Sequence, residues 1–152
     1  MTREPGNAIT PCKTKQLGER SYRCYFELTL SVIGGKWKPI ILYHLGLRDV
    51  LRFGELRRGM AEITERMLTR QLRELEADGM VHREVYREVP PRVEYSLTDL
   101  GRSLLPILME MRSWGVDFER HLGGVGQFPP EQGYEDPAPT KGIGEETICF
   151  DS

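Results

Sequence analysis

Cysteine is scarce in this chain of 152 residues: Cys12, Cys24 and Cys149 are an odd number at wide spacing. They form neither a disulfide framework nor the paired CxxC pattern of a zinc site, so any role belongs to single thiols. His44, His82 and His121 share no metal-ligand spacing with one another or with the cysteines, and neither a metal nor another cofactor is expected. Long apolar runs are missing as well. No stretch approaches the roughly 18 consecutive apolar residues of a membrane helix, and the opening "MTREPGNAITPCKTKQ" holds no apolar signal core. A soluble, cytoplasmic protein without a membrane partner is the expectation. A phosphate-cradling glycine loop, a locatable pair of carboxylates and a nucleophile signature are absent too, which argues against an enzyme.

An overall basic balance is also lacking, since the formal net charge is -2. The charge is uneven along the chain, however. Residues 1–122 hold 20 Lys and Arg against 17 Asp and Glu, whereas residues 123–152 hold 1 against 6. The acidity therefore belongs to the C-terminal tail. That tail, "GGVGQFPPEQGYEDPAPTKGIGEETICFDS", has six glycines, four prolines and no helical or alternating apolar period. It cannot bury enough apolar surface to offset its ordering entropy, so a disordered acidic tail is expected over 123–152. Residues 1–21 are polar and carry Pro5, Gly6, Pro11 and Gly18, and they read as a flexible N-terminal arm. One folded domain over 22–122 remains, a size that suits a single core.

Inside that domain apolar residues recur at helical spacing. Tyr25, Leu28, Val32 and Ile33 form a first segment that ends at Gly34-Gly35, and Trp37, Ile40, Ile41 and Leu45 form a second. Pro39 fits only the first turn of that second helix, which puts its start near Lys36. Phe53, Leu56 and Met60 mark a short third helix, broken by Gly59, and Thr64 can cap a fourth that runs to Asp78 and stops at Gly79. Two helices joined by so tight a connection make a helix-turn-helix candidate. Val93, Tyr95 and Leu97 then alternate with Arg92, Glu94 and Ser96, as in a half-buried strand. The run 81–87 alternates less cleanly, because Arg83 stands between Val81 and Val85, and Pro90-Pro91 mark the tip joining two strands. Thr98-Asp99 caps a long closing segment with Leu100, Leu104, Leu108, Met111, Gly115, Phe118 and Leu122 on one side, and Pro106 within it predicts a kink. The stripe is wider than one small core requires, and dimerisation would use the surplus. Trp37 and Trp114 are read as core or dimer packing.

The fourth helix carries the function. On a wheel of about 100° per residue with Leu68 as zero, Leu72 and Leu75 fall at about 40° and −20°, one buried stripe. Thr69, Arg73, Arg66 and Arg70 fall at about 100°, 140°, 160° and 200°, on the opposite face. On an isolated helix such a face simply meets water, and Glu65, Glu74 and Glu76 flank it here. This helix follows a short helix and a tight turn, however, and precedes a ribbon bearing Arg83, Arg87 and Arg92. That order is helix-turn-helix plus wing, in which the second helix enters the major groove and wing arginines reach phosphates or the minor groove. The fold class is therefore mainly α with a small β-wing (α+β): a winged helix-turn-helix domain, to which the family resemblance given below adds N- and C-terminal dimerisation helices. The candidates for contact with double-stranded DNA are Thr64, Arg66, Thr69, Arg70 and Arg73 on the helix and Arg87 and Arg92 on the wing. Lys36, Lys38 and Arg57 are candidates for the DNA backbone or, equally, ordinary solvated charge.

Three stretches, "CYFELTLSVIGGKWKPIIL" (24–42), "RFGELRRGMAEITERMLTRQLRELEADGMV" (52–81) and "PPRVEYSLTDLGRSLLP" (90–106), resemble the HxlR-type winged-helix transcriptional regulators. The resemblance covers most of 24–115 in the expected order. It implies a homodimer, paired through its terminal helices, that binds inverted-repeat operator DNA. The family's recognition helix maps onto Thr64–Asp78 and its wing onto Met80–Leu97.

The resemblance also bears on Cys24. Many members carry a cysteine just before the first helix, and in some that thiol senses oxidants or electrophiles. Proline usually follows it, whereas Tyr25 stands here. A helix N-terminus with Arg20 and Arg23 nearby favours a reactive thiolate, while the alternative is a small hydrophobe packed inside. Disulfides from Cys24 to Cys12 or Cys149, or across a dimer, are conceivable but not predictable. Two other readings compete: a winged helix that binds protein, and a regulator governed by a small ligand among Leu28, Val32, Trp37, Ile41, Leu108 and Met111.

Overall fold

The computed structural model describes residues 13–124. The expectations for the arm's first twelve residues, for the tail from 125, and for Cys12 and Cys149 lie outside the described residues. The chain divides into two units, one ending at Glu110 and one beginning at Met111. No helix among the described residues is long and apolar enough to cross a membrane.

The described part of the expected arm is a hairpin. Strands β1 (Lys15–Leu17) and β2 (Arg20–Tyr22) pair antiparallel, Leu17 opposite Arg20. The turn between them uses Gly18 at a φ of 59°, which favours glycine. Lys15 Nζ lies 5.1 Å from the Tyr25 ring centroid, so the hairpin also touches the start of the first helix.

Helix α1 (Tyr25–Ile33) is capped by Cys24, in extended conformation, and its last turn is closed by the Gly34 N–H donating to Leu30 O. Helix α2 (Trp37–Arg48) starts where Pro39 requires: the proline is its third residue, where no intrahelical N–H is needed. A short strand β3 (Val50–Arg52), which the sequence had not signalled, leads directly into α3 (Phe53–Gly59). The Glu55 carboxylate accepts the Arg52 N–H at 2.7 Å and so fixes the start of α3. A turn closed by the Ile63 N–H to Met60 O, 2.9 Å, joins it to α4 (Glu65–Ala77).

Thr64 caps α4 through Oγ1, which accepts the Met67 N–H at 3.2 Å. At the other end the N–H groups of Gly79 and Met80 donate to Glu76 O and Leu75 O, with Gly79 at φ 74°. That paired closure needs a left-handed residue, which is why glycine stops this helix. The leucine stripe is buried as expected: Leu68, Leu72 and Leu75 are at most 1% exposed. They pack in one core with Ile41, Leu42 and Leu45 of α2, Leu56 of α3, and Leu108. Ile41 and Leu108 thus belong to the core rather than standing open.

Strands β4 (Val81–Tyr86) and β5 (Arg92–Leu97) form the wing, antiparallel from Val81 opposite Leu97 to Tyr86 opposite Arg92. β3 adds to the other edge of β5, giving the order β3-β5-β4. Thr98 ties the wing base to α4, since its hydroxyl donates to Gly79 O at 2.6 Å and accepts the Gly101 N–H at 3.0 Å.

The closing segment corrects one expectation. Pro106 does not kink a continuous helix: α5 (Asp99–Arg102) ends, and α6 (Leu105–His121) begins one residue before the proline. A fresh start costs less than a proline in a helix interior, which would lose an N–H and clash with the preceding turn. Gly101 is required within α5, because a Cβ there would collide with Met80 O. In the second unit Trp114 and Phe118 stack with centroids 5.1 Å apart and remain 67% and 47% exposed.

Candidate nucleic-acid interface

Helix α4 presents its arginines outward because the leucines on its other side are spent on the core. Arg66, Arg70 and Arg73 are exposed and Thr69 half-buried. These four residues and Glu74 share one shallow surface depression, so the spacing read on a wheel is also a neighbourhood in space.

Their electrostatic states differ. Arg66 and Arg73 have no ion pair among the described residues. Arg70 Nε donates to Glu74 Oε1 at 3.0 Å. The other oxygen of Glu74 receives Lys38 Nζ of α2 at 2.8 Å. Lys38, first, and Arg70, second, hold the Glu74 carboxyl below the ordinary carboxylate range. The outer face of α4 therefore has a neutralised flank towards α2 and an open one with Arg66 and Arg73.

The remaining candidates divide in the same way. Lys38 is only 12% exposed and committed to Glu74, so little of it faces outward. Lys36 is exposed, 3.4 Å from Glu62 and over the Trp37 ring at 4.5 Å. Arg57 pairs with Glu65 at 2.7 Å, which joins α3 to the first turn of α4. Arg92 does not reach out from the wing: it lies over the Tyr86 ring at 4.0 Å and 3.3–3.4 Å from Glu88 and Glu94. Arg87, beside the wing tip, is exposed and without an ion pair among the described residues. The Thr64 hydroxyl is occupied as the helix cap.

Arg83 was counted in the sequence only as one arginine of the wing. It stands opposite Tyr95 in the β4–β5 register and lines a cleft of about 170 Å³ with Thr69, Leu72, Arg73, Glu76 and Tyr95. Opposed residues of an antiparallel pair project to the same face, and Tyr95 is buried. The break in alternation at Arg83 was the signal: it puts a charge where the face that buries Val81 and Tyr95 opens to solvent.

Cys24 is exposed and stands outside the core of the chain. Its Sγ accepts the Glu27 N–H at 3.4 Å, the place a serine hydroxyl takes at a helix start. The Glu27 carboxylate in turn accepts the Arg23 N–H at 2.7 Å, and this bond, with the Arg23 charge, draws its carboxyl below the ordinary range.

Comparison with known proteins places this geometry among regulators. Residues 32–122 match the family model described as HxlR-like helix-turn-helix. The HTH-type transcriptional regulator YybR of Bacillus subtilis (strain 168) is 62% identical over 92 residues, 60% of this chain and 73% of that protein. Among solved structures, the redox regulator HypR in its oxidized form is 61% identical at a TM-score of 0.58, over 62% of this chain and 96% of that one. Its reduced form gives 57% identity and a TM-score of 0.61, over 66% and 98% of the two chains.

Proposed function

The chain belongs to the HxlR-like helix-turn-helix family and is a DNA-binding transcriptional regulator, and from that premise we propose that it acts as a homodimer on inverted-repeat operator DNA, with Cys24 as its signal-receiving thiol. The observation that carries the proposal is the pair of unpaired arginines, Arg66 and Arg73, on the outer face of the second helix of a helix-turn-helix. A guanidinium already spent in an ion pair must break it to reach a base. A free one offers its fork directly, to guanine O6 and N7 or to the oxygens of a phosphate. Helix α4 enters the major groove in this reading, with Thr69 and Arg70 beside the two free arginines. Arg87 extends the contact from the wing.

Two apolar surfaces support the homodimer. Tyr25, Phe26 and Leu30 of α1 are 71%, 73% and 49% exposed, and Trp114, Phe118 and Leu122 at the C-terminal end are 67%, 47% and 70% exposed. Apolar residues clustered in the open mark interaction surfaces. Two copies related by a two-fold axis would put their α4 helices into successive major grooves, about 34 Å apart.

Cys24 supports thiol control by its exposure at the start of α1, where its sulfur is open to a reagent. A relative of 61% identity is a redox regulator with an oxidized and a reduced structure. No enzymatic step is part of the proposal, and the partner is double-stranded DNA rather than a membrane.

The test is equilibrium binding of the full chain to a duplex from its own promoter region and to a random duplex of equal length, across a salt series, with Arg66→Ala alongside. Preference for the promoter duplex, reduced by the substitution, is expected. Equal, weak binding to both duplexes would move the assignment to a protein-binding winged helix.

A further inference from the structure

We propose that the cleft between α4 and β4 is a phosphodiester seat, in which Arg73 and Arg83 together hold one phosphate of the bound DNA. The proposal rests on the DNA-binding reading above and gives it a defined backbone contact.

Arg83 stands where the inner face of the wing opens to solvent at its edge strand. Its register partner Tyr95 is 8% exposed and Val81, two residues earlier on the same face, is 2% exposed, whereas Val85, two residues later, is 47% exposed. A charge on a packed sheet face needs a counter-charge or an open edge. Arg83 takes the open edge: it stays exposed, without an ion pair among the described residues. On the other wall stands Arg73, equally unpaired, with Thr69 beside it. Two like charges converging on one cleft repel each other, and the one carboxylate lining it, Glu76, makes no ion pair with either. An anion relieves that repulsion and takes hydrogen bonds from both guanidinium forks and from the Thr69 hydroxyl.

Position selects the anion. With a recognition helix in the major groove and a wing directed to the adjacent minor groove, the backbone strand dividing the grooves passes between helix and wing. The cleft lies between those two elements. A phosphate held there fixes how deep the helix sits, and it adds affinity without regard to sequence.

The experiment compares wild type, Arg83→Gln and Glu76→Gln as full chains on the promoter duplex and on a random duplex, from 50 to 300 mM salt, with thermal unfolding of each variant. Losing one phosphate contact makes the slope of log K against log salt shallower by about 0.9, which is about fivefold in affinity at 0.15 M salt. Arg83→Gln is expected to show that loss on both duplexes alike, with their ratio unchanged, and Glu76→Gln to tighten both. An unchanged slope in Arg83→Gln overturns the seat, and so does a changed ratio, which would make Arg83 a reader of bases. If Arg83→Gln fails to fold, Glu76→Gln decides: unaltered or weaker binding overturns the seat. Wild type binding neither duplex in a salt-dependent way would remove the DNA reading itself, and the seat with it.

Discussion

Arg20 Nη2 donates to both carboxylate oxygens of Asp78, at 2.7 and 2.6 Å, and so ties the N-terminal hairpin to the C-terminal cap of α4. Asp78 is 13% exposed and Arg20 37%, so the pair is only partly open to water. The link begins four residues before Cys24 and ends one residue beyond α4. It lies outside the family match at one end, since that match begins at residue 32.

Arg20→Ala is therefore expected to lower stability by about 1–2 kcal/mol, the range of a charge-assisted hydrogen bond that keeps some solvent. Urea unfolding reads this as a lower midpoint at an unchanged slope. A midpoint equal to that of wild type would mean that the hairpin is a passive appendage.

The two faces of α4 should separate stability from binding. Leu72 is 1% exposed in the core, and Leu72→Ala is expected to cost about 2–5 kcal/mol. Arg66→Ala should leave stability within about 0.5 kcal/mol, as surface substitutions do. It should cost about 1–3 kcal/mol of discrimination if Arg66 forks onto a guanine. Equal weakening on all sequences would instead assign Arg66 to phosphate.

Glu74 gives a pH dependence of known sign. Lys38 and Arg70 hold its carboxyl below the ordinary range in the folded chain, so the folded state favours the carboxylate. The stabilisation is present above the ordinary carboxylate value of about 4.3 and is lost as the pH falls through the lower, folded one. Glu74→Gln should cost no more than about 1 kcal/mol at neutral pH, because the carboxylate is 38% exposed and screened. The difference from wild type should close in acid. A gap that persisted at acid pH would point to packing rather than charge.

Local signals made most of this architecture legible. Thr64 as a cap, the Leu68-Leu72-Leu75 stripe, Gly79 as a stop and the prolines at 90 and 91 each act within a few residues, and sequence displays that range. The hairpin and β3 were not legible, since strands of three residues leave no alternation to count. Pro106 showed that something must yield, but not whether the helix bends or begins anew. The state of each charge was hidden for a different reason. Lys38 is neutralised by Glu74, 36 positions away, and only the packing of α2 on α4 brings them together. Arg92 turns onto Tyr86 through the strand register. Sequence therefore found the basic face and could not say which of its cations are free.

Cys24→Ser is the substitution that isolates thiol control, because serine is a preferred helix cap and should take over the bond from the Glu27 N–H. The variant is expected to match wild type in stability and in operator binding under reducing conditions. Diamide accepts two electrons and two protons from two thiols, leaving a disulfide and the reduced hydrazine. In wild type the second thiol comes from Cys12, from Cys149 or from a second copy of the chain. Treatment should shift the operator affinity of wild type, reversibly with dithiothreitol, and leave Cys24→Ser unmoved. A non-reducing gel would tell an intrachain bond from a link between copies. Equal shifts in both proteins would place the response elsewhere, and no shift in either would leave the exposed sulfur as a helix cap alone.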